Sequence, residues 1–166
     1  MRLTHKLAFG LALPLLAMAA CSAGGSQAEA GAAASAAPAV HPVSGLPVIP
    51  LTVHRAGKKL AFRVEAARTG TEQAQGLMFR TALGPDEGMV FPMDPPRQAS
   101  FWMRNTVIPL DIIYIGVDGR ISNIHANTVP YSESRLLSEG LVKGVLELSG
   151  GRAAELGIVP GDKVEW

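Results

Sequence analysis

Cysteine is almost absent from this chain: Cys21 is the only one in 166 residues. A domain lying after it has neither a disulfide framework nor a thiolate metal site, so its stability must come from its core. Excess charge of either sign is also missing. The whole chain carries 15 Lys and Arg against 14 Asp and Glu, and from residue 48 onward the count is 13 against 13. A basic face for nucleic acid is therefore not expected. The longest uncharged apolar run near the start, residues 7–20, is 14 residues long and contains Pro14. A spanning helix needs about 20 residues, so a retained transmembrane anchor is not expected. Motifs for common chemistries are lacking as well. There is no GxSxG elbow, no HExxH and no phosphate loop, and Ser100, Ser132 and Ser149 have no neighbouring histidine signal.

What is present begins with targeting. Arg2 and Lys6 form a basic head before the apolar run, and small residues end it at Met18-Ala19-Ala20-Cys21. That is the layout of an export signal, residues 1–20. It resembles the bacterial lipoprotein box, with Met18 where leucine is usual. The resemblance implies cleavage before Cys21, diacylglycerol on its sulfur and an acylated amino terminus. Acyl chains of this kind hold a protein firmly on a membrane. Ser22 follows the cysteine, and by the same resemblance the absence of aspartate there favours the outer membrane, facing the periplasm, in a Gram-negative cell. Residues 22–47 are nearly all Ala, Gly, Ser and Pro with no periodic large apolar position. They read as a disordered tether with a span of about 28 Å, and His41 within it reads as solvated.

Residues 48–166 read as one β-rich domain. Segments 48–54 and 60–66 flank Ala56-Gly57-Lys58-Lys59 as a hairpin. Thr69 or Thr71 caps a short helix that runs toward residues 76–79. Residues 88–91 and 99–103 are further strands, separated by Pro92, Pro95 and Pro96, which disfavour regular pairing. Asp118-Gly119 turns a hairpin between 110–116 and 120–125. The first arm is apolar on both faces and should be central and covered twice. A buried strand at 145–148, a short helix at 151–156 closed by Gly157 and a last strand at 163–166 complete the domain. The expected fold is mainly β with two short helices, as a compact antiparallel sandwich or a partly closed barrel.

The segments GLMFR (76–80), GMVF (88–91), FWMRNTVIPLDIIYI (101–115), VLEL (145–148) and GIVPGDKV (157–164) occur in that order. Together they resemble domain-of-unknown-function family 192, small bacterial and archaeal proteins, many of them secreted. The resemblance covers about residues 50–166. It implies a compact β-rich fold with two small helices and no established activity.

The densest polar constellation is 101–111. Alternation on an extended strand puts Phe101 and Met103 on one side and Trp102 and Arg104 on the other. Asp111 stands at the mouth of the most apolar strand, where a bare charge is costly. It is read in two ways. It either accepts backbone N–H groups of the 105–109 loop or pairs with Arg80 or Arg104, or it joins Arg80, Trp102, Arg104, Asn105 and Glu147 in a cleft for a small polar ligand. Glu147 in turn is either such a cleft residue or the solvent-facing position of a half-covered strand.

Two further readings follow from residue type. Asp111 and Glu147 would suit a glycosidase-like hydrolase if their carboxyl groups lay about 5 to 9.5 Å apart. Met78, Met89, Met93 and Met103 with His125 or His54 are ligand types for copper(I), although methionine more often fills core gaps. The leading expectation is a non-enzymatic envelope module without cofactor or bound metal. It meets the membrane through its lipid and binds a small molecule, glycan or envelope protein. Mass spectrometry of the amino-terminal peptide from isolated membranes should show Cys21 acylated. A free terminus in the soluble fraction would rule out the anchor.

Overall fold

The computed structural model describes residues 39–166; the export signal, Cys21 and residues 22–38 lie outside the described residues. The elements run β1 (Val48–Arg55), β2 (Lys58–Ala66), α1 (Gly70–Gln75), β3 (Glu87–Arg97), β4 (Ser100–Phe101), β5 (Leu110–Gly116), β6 (Ile121–His125), β7 (Leu136–Leu137), β8 (Val142–Ser149), α2 (Arg152–Leu156) and β9 (Lys163–Glu165). The local signals act as their chemistry predicts. Ala56 and Gly57 turn the first hairpin at φ +47° and +78°. Thr69 and Glu72 form a reciprocal capping box on α1.

The mainly β fold with two short helices is as expected. The strands form a seven-stranded sheet in the order β6-β5-β8-β3-β2-β1-β9, with β4 and β7 as a separate ribbon. All neighbours are antiparallel except β2 and β3, which α1 joins as a crossover. That parallel pair makes the sheet mixed where a purely antiparallel one was expected. The sheet curls until its edge strands touch: Val164 N donates to Gly119 O at 2.8 Å and Ile121 N to Asp162 O at 2.9 Å. The ladder goes no further, and the sheet does not close into a barrel. The prolines of β3 do not end the strand. They shift its register against β8 between Pro92 and Arg97, so the pairing lapses where prolyl nitrogens offer no donor.

Residues 39–47, expected as tether, fold against the domain. Val40 bridges Pro47, and the Pro47 carbonyl accepts Ala66 N at 2.9 Å. Composition misses this because the contacts are made by backbone groups and by a few isolated side chains, Ser44, His41 and Leu46, that form no periodic pattern.

Each side of the sheet carries its own core. On one, Val64, Val90, Ile113, Leu146 and Leu148 pack with Ala153 and Ile158 at α2. On the other, Leu77 after α1 packs with Met89, Phe91, Ile112, Tyr114 and Val145. The first six residues of β5 are all buried, as a doubly covered strand requires. β3 and β8 also approach unusually closely, since a Cβ on Gly88 would lie 2.5 Å from the Glu147 carbonyl oxygen.

Asp111, fully buried, joins three segments. Its Oδ1 accepts Asn127 N at 2.7 Å and Gly151 N at 2.9 Å, and its Oδ2 accepts Ala153 N at 2.7 Å. Gly151 is the N-cap of α2 and has no side chain to cap with, so a strand residue forty positions earlier supplies the missing acceptor. The Asp111→Asn variant keeps one acceptor and turns an amide N–H toward other N–H donors. It should lose about 3 kcal/mol of stability in urea unfolding. A loss below about 1 kcal/mol would show that the three bonds do not hold the fold.

Candidate functional site

On the α1 side of the sheet a cavity of about 330 Å³ opens between the end of α1, the distal half of β3 and the segment around Trp102. That volume is at the lower end for small-molecule pockets. Phe91, Met93 and Phe101 form its apolar wall together with Met78. The Phe91 and Phe101 rings meet edge to face with centroids 5.0 Å apart. Trp102, 44 % exposed, stands at the rim. The rim is tied to neighbouring loops by backbone bonds: Asn105 O accepts Phe79 N, Ser132 O accepts Met103 N and Thr106 O accepts Tyr131 N. Phe79, Asn105 and Tyr131 all hold positive φ there, a conformation that costs free energy and marks a geometry imposed by the surroundings.

Glu147 forms part of the inner wall and is only 5 % exposed. Its ladder neighbours are Met89 on β3 and Ile112 on β5, so it rises from apolar surroundings. Its Oε2 is the one buried side-chain oxygen or nitrogen among the described residues that has no hydrogen-bond partner. Burial pushes its carboxyl up to about 8, so it is mainly protonated at neutral pH. Tyr114, also raised, owes its shift to burial first and to Glu147 second. The only other charged residue lining the cavity is Arg97, exposed at the mouth, whose Nη2 donates to Gln73 Oε1 at 3.1 Å.

A second buried glutamate sharpens the contrast. Glu65 lies across the sheet from Met89, which in turn lies across from Glu147, so the two carboxyl groups share a face two strands apart. Glu65 is fully answered. Arg80 Nη2 lies 2.7 Å from both of its oxygens, and the Ser44 hydroxyl donates to it. His41 packs beside this pair rather than in solvent, 3.2 Å from the Arg80 guanidinium.

Of the residues predicted from sequence, Trp102 and Glu147 meet at the cavity. Arg104 stays beside Trp102, its guanidinium 5.6 Å over the ring. Asn105 supports the rim through its carbonyl, while its Nδ2 reaches Met78 Sδ at 3.8 Å. Arg80 is spent on Glu65. Asp111 is not in the cleft at all. Its ladder partner on β8 is Leu148, one residue on from Glu147, so the two carboxyl groups project from opposite faces of the sheet. This overturns the hydrolase pairing of Asp111 with Glu147, since no substrate bond can lie between them. The backbone reading of Asp111 holds in kind, but the donors are Asn127, Gly151 and Ala153 instead of the 105–109 loop.

The copper set does not assemble either. Met78 and Met93 line the cavity, but His54 pairs with Glu165 at 2.8 Å and His125 contacts the Leu137 carbonyl at 2.9 Å. Sequence reasoning missed Arg97 altogether, and it took Met93 only as a copper ligand type and Phe91 only as a strand residue, not as walls of this cavity. Their strand was broken at the prolines in advance, which hid the continuation that carries Met93 and Arg97 to the cavity.

This geometry defines a class: a compact β-rich domain with one buried, unpaired carboxyl in an aromatic-lined cavity. Residues 51–166 match the DUF192 family, described as an uncharacterized ACR, and the chain belongs to it. Two solved structures are similar to it. One is a protein of unknown function from Novosphingobium aromaticivorans DSM 12444, with 61 % identity over 80 % of this chain and 94 % of that one, at a TM-score of 0.77. The other is a Sinorhizobium meliloti 1021 protein whose description names transcription regulation, with 39 % identity over 72 % and 94 % of the two chains, at a TM-score of 0.70. No curated protein matches the chain.

The raised Glu147 carboxyl has a signature in stability. The folded state keeps a proton that the unfolded chain releases from about pH 4.5 upward, so this contribution is complete at lower pH and is lost as pH rises through about 8. The total is on the order of 5 kcal/mol. The stability difference between the wild type and Glu147→Gln should therefore decline across that window, and a flat difference would contradict the burial. Glu147→Leu should be more stable than wild type at pH 8, because it removes an unsatisfied polar group from an apolar site.

Proposed function

We propose that this DUF192 domain is a small-molecule-binding module of the cell envelope, carried on a membrane by lipid at Cys21, and that the cavity between Trp102 and Glu147 takes the ligand. One observation supports this above the rest: a carboxyl is buried without a partner in the wall of an open cavity, where an apolar residue would be more stable. Buried polar groups are nearly always paired, and an exception calls for a role beyond packing. A ligand donor reaching Glu147 would supply the absent partner. The aromatic and methionine wall would contribute apolar contact, and Trp102 would close over the rim. The transcription label of the Sinorhizobium relative finds no support in a domain with 13 basic and 13 acidic residues from position 48 onward.

A thermal-shift screen of small metabolites, covering neutral, anionic, cationic and zwitterionic compounds, tests the reading on the intact domain. At least one class should raise Tm. Trp102→Ala should weaken that ligand roughly tenfold, the loss of about 1.4 kcal/mol of aromatic contact. If no class shifts Tm, or if hits bind Trp102→Ala and Glu147→Gln as well as wild type, the cavity is not a binding site.

A further inference from the structure

Resting on the cavity reading, the geometry points to a ligand class: a short zwitterion whose ammonium head meets Glu147 and the aromatic wall while its carboxylate meets Arg97 at the mouth. The first argument is the pair of buried glutamates on one sheet face. Glu65 has a guanidinium at 2.7 Å, whereas among the described residues Glu147 has no cation and its Oε2 has no donor of any kind. The fold neutralises one carboxyl with its own arginine and leaves the other open to the cavity. An ammonium supplies both what Glu147 lacks, several N–H donors and a positive charge, and charge-assisted bonds of this type are the stronger ones.

The second argument is the wall. Phe91 and Phe101 line the same space, and aromatic faces attract cations where water is excluded. The third is Arg97, which makes no ion pair with the described residues and has one N–H engaged by the Gln73 side chain. Its remaining donors suit a carboxylate. A deep carboxyl that can give up its proton and an outer guanidinium are thus the two ionisable groups of the lining, and a zwitterion with its ammonium inward and its carboxylate outward complements both.

Binding of this kind displaces the Glu147 proton. With the carboxyl at about 8, ionising it at pH 7 reduces affinity by about tenfold, which an ammonium contact can offset. The other charged or titratable groups on the packed elements are either outside the cavity lining, as exposed Asp94 of β3 and the basic residues of β2 are, or engaged, as His125 of β6 is with the Leu137 carbonyl. The Tyr114 hydroxyl of β5 donates to Leu136 O, Glu72 of α1 caps its own helix, and Glu65 of β2 holds Arg80. Glu147 is therefore the group that releases the proton.

Isothermal titration calorimetry of the intact domain at pH 7, in buffers of different ionisation enthalpy, tests this. The probes are β-alanine, γ-aminobutyrate and δ-aminovalerate, with pentylamine, pentanol and 5-hydroxypentanoate as controls that lack one or both charges. One ω-amino acid should bind at least tenfold more tightly than pentanol and 5-hydroxypentanoate and release close to one proton. Glu147→Gln should abolish the proton release, and Arg97→Ala should weaken the amino acid but not pentylamine. Equal binding of the hydroxyl controls, or binding without proton release, overturns the zwitterion and leaves the cavity reading intact. Failure of all the amino acids also overturns it, and the cavity reading falls with it only if the broad metabolite screen is empty too.

Discussion

The bonds from the Asp111 carboxylate to Asn127 N, Gly151 N and Ala153 N are the constraint on which the remainder of this domain depends. They cap α2 from a distant strand and clamp the loop after β6 to the start of β5. They also fix which way β5 faces. Side chains of a strand alternate, so with Asp111 turned toward α2, Ile112 and Tyr114 must turn toward α1. Across the ladder Ile112 stands opposite Glu147, which then also faces α1. A buried ionic group on one face of the sheet thereby sets the position of the protonated group on the other, and a slip of one residue would exchange them.

Glu147 and Glu65 show how one surface treats two carboxyl groups. Arg80 and Ser44 hold Glu65, and that assembly ties residues 39–47 to the end of the sheet. Among the described residues Glu147 receives nothing comparable. A buried, unanswered carboxyl survives by keeping its proton, and it costs stability that Leu or Met would restore. Natural proteins retain such costs mostly where function requires them. The strained backbone of Phe79, Asn105 and Tyr131 near the same cavity follows the same pattern.

Much of the fold was legible because it rests on local chemistry. The Asp118-Gly119 turn, the Thr69 cap, Gly157 closing α2 and the doubly apolar β5 each follow from residue type and spacing. The parallel pairing of β2 with β3 was not legible, since no local signal distinguishes a crossover from a hairpin return when the intervening helix is a turn and a half long. At the site, Trp102 and Glu147 stood out as polar or amphipathic residues inside apolar segments. Asp111 stood out for the same reason and proved to have a different role. Sequence distance could not reveal that adjacent ladder positions place Asp111 and Glu147 on opposite faces. The contribution of Arg97 was hidden behind prolines that interrupt pairing without ending the strand.

The account turns on whether Glu147 holds its proton at neutral pH in the ligand-free domain. Carbon-13 NMR of side-chain carboxyl groups, with the Glu147 resonance assigned from the Glu147→Gln variant, measures this directly. A midpoint near 8, well apart from those of the exposed glutamates, is the predicted result. A midpoint near 4.5 would mean that the group is solvated or paired, and the cavity would lose the feature that defines it.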